Sequence, residues 1–269
     1  MKKVIPYILA IGLALFVLLP FLWMFSTAVK PLKETFSWPP YLIPHDWSLE
    51  NFPISVQRSN AIRALLVSSI YTVGCIVLYL IVASLAGYGF AKYKFPGDSI
   101  LFLLVLGTVI IPIEVIIAPL FMLLKSLGWV NTFHGMILPR VVEPFGIFLL
   151  RQHFKTIPDD FLDAARIDGC SEFGILWKVV LPLSLPPLTV TGLFMFLWRW
   201  NELLWPLVVG SGEAQRTIQV AIALFQHEWF VEWNYLMALC VIAIIPILIL
   251  FILLQRYFIQ GVVMSGLKG

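Results

Sequence analysis

Residues 4–29 read VIPYILAIGLALFVLLPFLWMFSTAV and contain no charged side chain. About 20 apolar residues in a helix cross the hydrocarbon layer of a bilayer, so this run is long enough for a transmembrane helix. Lys2 and Lys3 precede the run, as in a signal peptide, but the apolar part of a signal peptide has only about 7–15 residues. The stretch therefore predicts a retained membrane-spanning helix whose N-terminus is cytoplasmic.

The composition of the whole chain also indicates a membrane protein. Of its 269 residues, 60% are hydrophobic and 12% are charged, and the mean hydropathy is +0.94. A soluble domain is about half apolar and about a quarter charged, so a cytosolic enzyme, a disordered chain and a secreted disulfide scaffold are excluded. The net charge of +3 is too small to indicate nucleic-acid binding. The three cysteines are widely spaced and the four histidines share no helical spacing, which argues against a metal site.

Further apolar segments predict an all-α membrane protein with six transmembrane helices, in a single domain that covers residues 1–269. The predicted spans are residues 4–29, 64–91, 100–124, 135–150, 185–209 and 235–258. Lysine and arginine are more frequent in the connections that a cytoplasmic N-terminus would place inside the cell, so both chain termini are predicted to be cytoplasmic. Residues 151–184 then form a long cytoplasmic insert, and residues 210–234 form an external loop.

The insert contains the segment IPDDFLDAARIDGCS at residues 157–171. Pro158 suits the start of a helix, and the two aspartates after it suit the positive end of the helix dipole. Gly169 is typical of a helix end, and Ser171 can cap a second short helix that ends before Pro182. The alternative is a solvated linker. A DNA-binding helix-turn-helix is excluded because the insert lacks an excess of basic residues.

These residues also carry a resemblance to a known family. Asp163-Ala164-Ala165, Asp168-Gly169 and the stretch from Ile175 to Leu181-Pro182-Leu183 resemble the signature E-A-A-x-x-x-G…I-x-L-P. That signature marks the membrane subunits, or permeases, of binding-protein-dependent ABC importers. Further stretches resemble the carbohydrate-uptake branch of that family, and they are Pro112-Ile113-Glu114, Pro119-Leu120-Phe121 and residues 148–152, 200–202, 205–207 and 255–269. The resemblance covers nearly the whole chain.

The resemblance implies the ABC importer type I permease fold, with a coupling helix at about residues 159–169 that lies in a groove of a cytoplasmic ATPase subunit. The residues expected to dock are Asp159, Asp160, Asp163, Ala164, Ala165, Asp168 and Gly169. Asp163 stands where the family usually has glutamate, and Cys170 stands where alanine is usual. The shorter Asp163 side chain changes the reach of a salt bridge to the ATPase, whereas the docking role itself is expected to remain.

The resemblance also implies partners, a cellular location and a cargo. The expected partners are a second permease subunit, two ATPase subunits and an extracytoplasmic solute-binding protein, in the plasma (inner) membrane of a prokaryote. The chain contains no G-x-x-x-x-G-K-[ST] phosphate loop, so ATP and Mg are expected on the ATPase subunits and no cofactor is expected on this chain. The expected activity is import of a sugar or sugar-like solute, without covalent chemistry by this subunit.

Polar side chains within the predicted spans are candidates for the solute path, because charges at membrane depth are costly unless paired or hydrated. The candidates are Trp198, Asn201, Glu202, Trp205 and Glu114. The first four fall on one face at helical spacing and combine aromatic rings with polar groups, as a sugar path requires. The alternatives are that Arg199 pairs with Glu202 and that the tryptophans pack. Arg140 and Glu143 are candidates for gating or for interhelical salt bridges.

Other functions remain open at this point. The same machinery could import glycerol phosphate or another polyol derivative. An ion-coupled secondary carrier could use Glu114, Glu143 or Glu202, although it would leave the insert unexplained. An intramembrane enzyme would need a nucleophile and a base close together, and no such pattern stands out. The external loop could reach the solute-binding protein or be an ordinary polar loop.

Overall fold

The computed structural model describes residues 4–225 and 232–266, with the side chains of residues 6–225 and 232–255. All regular secondary structure in these residues is helical, which confirms the all-α prediction. The α-helices are α1 (Val4–Ala28), α2 (Leu32–Thr35), α3 (Asn51–Ser59), α4 (Ala61–Lys92), α5 (Asp98–Gly107), α6 (Ile113–Ser126), α7 (Phe133–Ile137), α8 (Pro144–Phe154), α9 (Asp159–Ile167), α10 (Glu172–Ile175), α11 (Leu181–Leu183), α12 (Leu185–Trp200), α13 (Leu204–Val209), α14 (Ile218–Phe225) and α15 (Trp233–Gly266). Both chain ends and part of the predicted external loop lie outside the described residues.

Three of the described helices are long and apolar enough to cross a membrane, namely Pro6–Ala28, Ala61–Lys92 and Trp233–Gln255. Three further candidates are pairs of helices that meet at a bend. The bends are 98° between Asp98–Ile110 and Ile113–Ser126, 47° between Phe133–Arg140 and Pro144–Phe154, and 85° between Glu172–Leu183 and Leu185–Trp200. By length and composition, the described residues contain six spans if each pair is counted as one.

The third apolar segment differs from the continuous span predicted at residues 100–124. α5 continues through a 3-10 turn to Ile110, Ile111 has extended backbone angles (φ −85°, ψ 108°), and α6 begins at Ile113. Pro112 explains the break, because a proline has no N–H to donate and disfavours helical geometry in the residue before it. The predicted span is therefore two helices.

The predicted spans at residues 135–150 and 185–209 are also interrupted close to a proline. Glu143 has extended angles (φ −127°, ψ 118°) immediately before Pro144, where α8 begins. α12 ends at Trp200 and α13 begins at Leu204, so Pro206 lies in the first turn of a new helix, where a proline is tolerated.

The second helix of the insert extends further than predicted. The Ser171 hydroxyl accepts the Gly174 N–H at 3.2 Å and caps α10, as expected. The helix then continues through a wide π turn, Leu176–Val180, and includes Pro182 before it ends at Leu183. Pro182 cannot donate to the carbonyl four residues earlier, and the wider turn lies directly before it.

The contacts divide the chain into two compact units. The first unit is Met1–Leu66 with Thr217–Leu248. In this unit Asn51 is 2% exposed and donates to the carbonyls of Ala28 at 2.9 Å and Lys30 at 2.8 Å. These bonds fix the end of α1 to the start of α3.

The second unit is Val67–Arg216 with Ile249–Gly269. Its fully buried large side chains include Tyr71, Tyr79, Leu124, Met136, Leu150, Phe154, Leu162, Ile175, Leu176, Met195 and Trp205. Between membrane helices such side chains stabilise the fold through close van der Waals packing, because lipid is as apolar as the protein interior. Because Leu162 and Ile175 belong to this core, the insert packs on the same core as α4.

Candidate functional site

The first helix of the insert, α9, begins and ends at the signals found in the sequence. Pro158 precedes it, and two aspartates occupy its first turn. At its other end Gly169 has φ +79°, and the Gly169 N–H bonds to the Arg166 carbonyl at 3.0 Å. The Cys170 N–H bonds to the Ala165 carbonyl at 2.9 Å. The two bonds form a Schellman motif, in which glycine adopts the positive φ at least cost.

α9 has one buried and one exposed face. Leu162 and Ala165 are 1% and 8% exposed, so the insert is not a solvated linker. The remaining residues that were expected to dock are all exposed, namely Asp159, Asp160, Asp163, Ala164, Asp168 and Gly169. Most of the expected docking residues therefore lie on one accessible surface.

Five exposed large apolar side chains lie on the insert and were missed from the sequence, and three of them lie on α9 and α10. Phe161 is 54% exposed, Ile167 87% and Phe173 68%. The signal was available, because α9 contains more apolar residues than one buried face requires. Exposed apolar side chains grouped on one surface are typical of a site that binds another protein. We call this surface the docking face, after the role that the resemblance implies, and it consists of Phe161, Ala164, Ile167 and Phe173 with the neighbouring aspartates.

The N-terminal end of α9 is bonded to the end of α4. The Lys92 side chain is 7% exposed, and its Nζ donates to the Ile157 carbonyl at 2.6 Å and to Asp159 Oδ1 at 2.7 Å. The hydrogen bond from Lys92 lowers the pKa of Asp159 below its ordinary value. α4 and the start of α9 are thus joined by one buried cation.

The C-terminal end of α9 is held by a second set of polar contacts. Arg166 pairs with Asp163 at 2.7 Å and with Glu172 at 2.8 Å, and these hydrogen bonds raise the pKa of Arg166. Glu172 also accepts hydrogen bonds from the hydroxyls of Tyr88, at 3.3 Å, and Tyr93. Asp163, the residue at the acidic position of the signature, is therefore already paired within the chain.

Four charged side chains meet where two helix breaks come together, and we call them the charge cluster. Arg140 Nη2 lies 2.7 Å from Glu202 Oε1 and 3.8 Å from Glu143 Oε1. Arg199, 3% exposed, pairs with Glu202 at 2.7 Å and also with Glu143. The Tyr71 hydroxyl donates to Glu202. The pairing of Arg199 with Glu202, expected as the alternative to a solute role, is present.

The charge cluster lines a groove of about 890 Å³, which we call the polar groove. Asn201, Trp198 and Phe145 also line it. The rings of Phe145 and Trp198 pack edge to face, with centroids 5.6 Å apart. Apolar side chains from the region of the α5–α6 break complete the wall. The groove thus combines aromatic surface with hydrogen-bonding groups.

The solute-path candidates are not brought together as one helical face. Trp198, Asn201 and Glu202 line the polar groove. Trp205 is fully buried, and its Nε1 donates to a backbone carbonyl of α7 at 2.9 Å. Glu114 is exposed on α6 and is not among the lining residues. The break after Trp200 explains the difference for Trp205, because helical spacing does not continue across it.

Among the described residues, no group of three or more histidine, cysteine, aspartate or glutamate side chains is arranged to hold a metal ion. The polar groove is therefore best described by ion pairs and aromatic rings.

Comparison with known proteins decides the family. Residues 80–264 match the family model described as binding-protein-dependent transport system inner membrane component. The chain belongs to this family. The permease is thus a membrane component of a transport system rather than an enzyme, as the resemblance implied.

Relatives match the permease over its full length. It is 36% identical over 274 residues to the arabinooligosaccharides transport system permease protein AraQ of Halalkalibacterium halodurans, covering 100% of this chain and 98% of that protein. It is 34% identical over 275 residues to the trehalose/maltose transport system permease protein MalG of Thermococcus litoralis, again covering 100% and 98%.

A solved structure has the same fold. The permease superposes with a TM-score of 0.82 and 24% identity on a chain from the crystal structure of a bacterial ABC transporter involved in the import of the acidic polysaccharide alginate. The match covers 96% of both chains. It confirms the predicted fold class.

Proposed function

We propose that this permease is the membrane subunit of an ATP-driven importer that brings a sugar or sugar-like solute into the cytoplasm. Its partners are a second permease subunit, two ATPase subunits that hold ATP and Mg, and an extracytoplasmic solute-binding protein. In this arrangement both chain termini and the insert are cytoplasmic. The observation that carries the proposal is the docking face of α9, an exposed apolar and acidic surface on a helix that is anchored at both ends.

The names of the relatives support carbohydrate as the cargo class. Two full-length relatives are named for transport of arabinooligosaccharides and of trehalose or maltose. A third, the diacetylchitobiose uptake system permease protein NgcG of Streptomyces coelicolor, is 28% identical and covers 97% of this chain and 87% of that protein. Their named cargoes differ in sugar and linkage, so the proposal is limited to the class.

The route from the ATPase to the groove follows α4. Closure of the ATPase subunits moves α9, and α9 is bonded to Lys92 at the end of α4. Tyr71, about 30 Å back along the same uninterrupted helix, is bonded to Glu202 in the charge cluster. Movement of the docking face is therefore passed to the polar groove through one continuous helix.

The substitution Ala164→Arg tests docking without removing a contact within the chain. Ala164 is exposed and lies at the centre of the docking face, so an arginine there blocks close approach of the ATPase. We expect a normal amount of protein in the membrane, loss of the co-purifying ATPase and loss of ATP-dependent uptake. Lys178→Ala, an exposed change on the same insert, is the matched control and should leave all three unchanged. Normal ATPase binding by the Ala164→Arg variant, or uptake that persists without any ATPase, would contradict the proposal.

A further inference from the structure

The polar groove has the size and form of a small-molecule site. Its volume of about 890 Å³ falls within the range of about 300–1,000 Å³ that is usual for ligand pockets. Its walls come from helix ends next to the three proline breaks, at Pro112, at Pro144 and before Pro206. Broken helices at membrane depth are tolerated where they line a cavity, since their free backbone groups need polar surroundings.

The charges of the groove balance. Its ionisable lining residues are the four members of the charge cluster, two arginines and two glutamates, and all the lining residues belong to the described part of the chain. Both arginines contact both glutamates, so neither positive charge is left without a carboxylate. The Nε atoms of both arginines are buried and have no hydrogen-bond partner. The groove thus has paired charges and no uncompensated positive charge.

Aromatic rings lie beside these polar groups. Trp198 is 40% exposed and Phe145 36%, so part of each ring remains accessible in the groove. Asn201 is exposed there as well, with its side-chain Nδ2 bonded to the Leu197 carbonyl and its amide oxygen available as an acceptor. An aromatic surface next to paired donors and acceptors suits a solute with both C–H faces and hydroxyl groups.

We propose that the polar groove is a solute-contact site within this subunit, and that it accepts uncharged polyhydroxylated solutes and excludes anions. The inference rests on the proposed import function. A neutral sugar exchanges hydrogen bonds with the charge cluster without disturbing its charge balance. A phosphorylated polyol would bring a negative charge next to Glu143 and Glu202, and it would have to break an existing ion pair to find a cation. This argues against glycerol phosphate as the cargo.

Cysteine protection tests the site. Asn201→Cys is made in a variant without the three native cysteines, and the complete transporter is purified in detergent. Labelling by a charged maleimide is measured with maltose, trehalose or arabinotriose added directly, and separately with glycerol 3-phosphate. We expect at least one neutral sugar to slow labelling by about five-fold, since a bound ligand covers most of its pocket wall, while glycerol 3-phosphate has no effect. Thr108→Cys, elsewhere on the groove wall, gives a second reporter if Asn201→Cys does not assemble.

Ser126→Cys is the matched control, because Ser126 is exposed but lies outside the groove, and its labelling should not respond to any solute. Uptake by the same transporter in proteoliposomes with its binding protein is measured in parallel. ATP-driven uptake of a neutral sugar without protection of either groove cysteine would overturn the inference and leave the proposed function standing. Protection or ATP-driven uptake with glycerol 3-phosphate would overturn the exclusion of anions. Absence of ATP-driven uptake of every sugar would overturn the proposed function, and the inference with it.

Discussion

Lys92 Nζ lies 2.7 Å from Asp159 Oδ1, so the last residue of α4 is bonded to the first residue of α9. The lysine side chain is 7% exposed and the aspartate side chain 75%. The lysine side chain is therefore buried against its own helix and the core, while the carboxylate lies on α9, the helix that we propose meets the ATPase. This arrangement allows a force on α9 to reach α4 without a flexible linker between them.

Replacement of Lys92 tests this connection. Lys92→Met keeps the apolar stem but removes the bonds to Asp159 and to the Ile157 carbonyl. We expect ATPase binding to persist while sugar uptake per ATP hydrolysed falls several-fold, measured in proteoliposomes. Lys94→Met is the control, because Lys94 is 89% exposed and its nearest carboxylate is 3.9 Å away. Equal uptake by both variants would show that Lys92 does not couple α9 to α4.

The same ion pair predicts a pH effect. Because the pKa of Asp159 is lowered in the folded protein, the pair stabilises the insert above the ordinary aspartate pKa of about 3.9, and this contribution is lost as the pH falls through the lowered value. Asp159→Asn should therefore be less stable than the unmodified protein at pH 7, and the difference should be smaller at a second pH, below the ordinary aspartate pKa of about 3.9. Protease susceptibility of the insert in detergent at the two pH values measures this. A difference in protease susceptibility that has the same size at both pH values would argue against the pairing of Asp159 with Lys92.

Position 169 is predicted to require glycine because of its positive φ, and not because a larger side chain would lack space. A Cβ built there meets no atom within 4 Å, but φ is +79°. Gly169→Ala should destabilise the end of α9 by about 1–2 kcal/mol, the cost of the left-handed conformation for most residues. Gly169→Asn should cost less, since asparagine adopts this conformation more readily. Hydrogen exchange of the α9 amides would show the order glycine, asparagine, alanine, and the reverse order of the two variants would contradict the explanation.

Gly146 is predicted to be required for close packing beside the polar groove. A Cβ at Gly146 would lie 2.0 Å from Tyr79 Oη and 2.8 Å from Thr191 Cγ2. Gly146→Ala should therefore cost about 1–3 kcal/mol by overpacking and lower the thermal stability of the protein in detergent. Gly89→Ala, within α4, meets no atom within 4 Å and should be neutral or stabilising. Similar melting temperatures for the two variants would contradict the packing at Gly146.

Arg199 is predicted to be needed for charge balance in the core of the second unit. Arg199→Met leaves Glu143 and Glu202 with a single arginine and should cost about 3–5 kcal/mol, as is usual when one partner of a buried pair is removed. The double variant Arg199→Met, Glu143→Gln restores equal numbers of positive and negative charges and should recover much of this loss. The yield of folded protein from membranes and its melting temperature are the measurements. No recovery in the double variant would show that specific geometry, rather than net charge, governs the cluster.

Local features were predictable from the sequence. The limits of α9 follow from Pro158 and Gly169, because proline and glycine act on the backbone of their immediate neighbours. The helix breaks could also have been read from Pro112, Pro144 and Pro206. The spans were nevertheless predicted as continuous segments, because hydropathy defined their limits and hydropathy alone continues through a proline.

Relationships between distant residues were not predictable in the same way. Arg140 and Glu202 are bonded although they are far apart in the chain, and the bond depends on how α8 and α12 pack at their breaks. Trp205 was expected in the solute path, but it is buried because the break after Trp200 changes the direction of its side chain. The pairing of Lys92 with Asp159 likewise requires the insert to fold back onto α4.

The balance of charge at Arg140, Glu143, Arg199 and Glu202 has an electrical consequence. Moving one elementary charge through the field of the membrane takes about 2.3 kcal/mol per 100 mV, so an unbalanced cluster would couple its movement to the voltage across the bilayer. Two positive and two negative side chains that move together transfer no net charge. A movement of these four residues as one unit would therefore be neither driven nor opposed by the membrane potential.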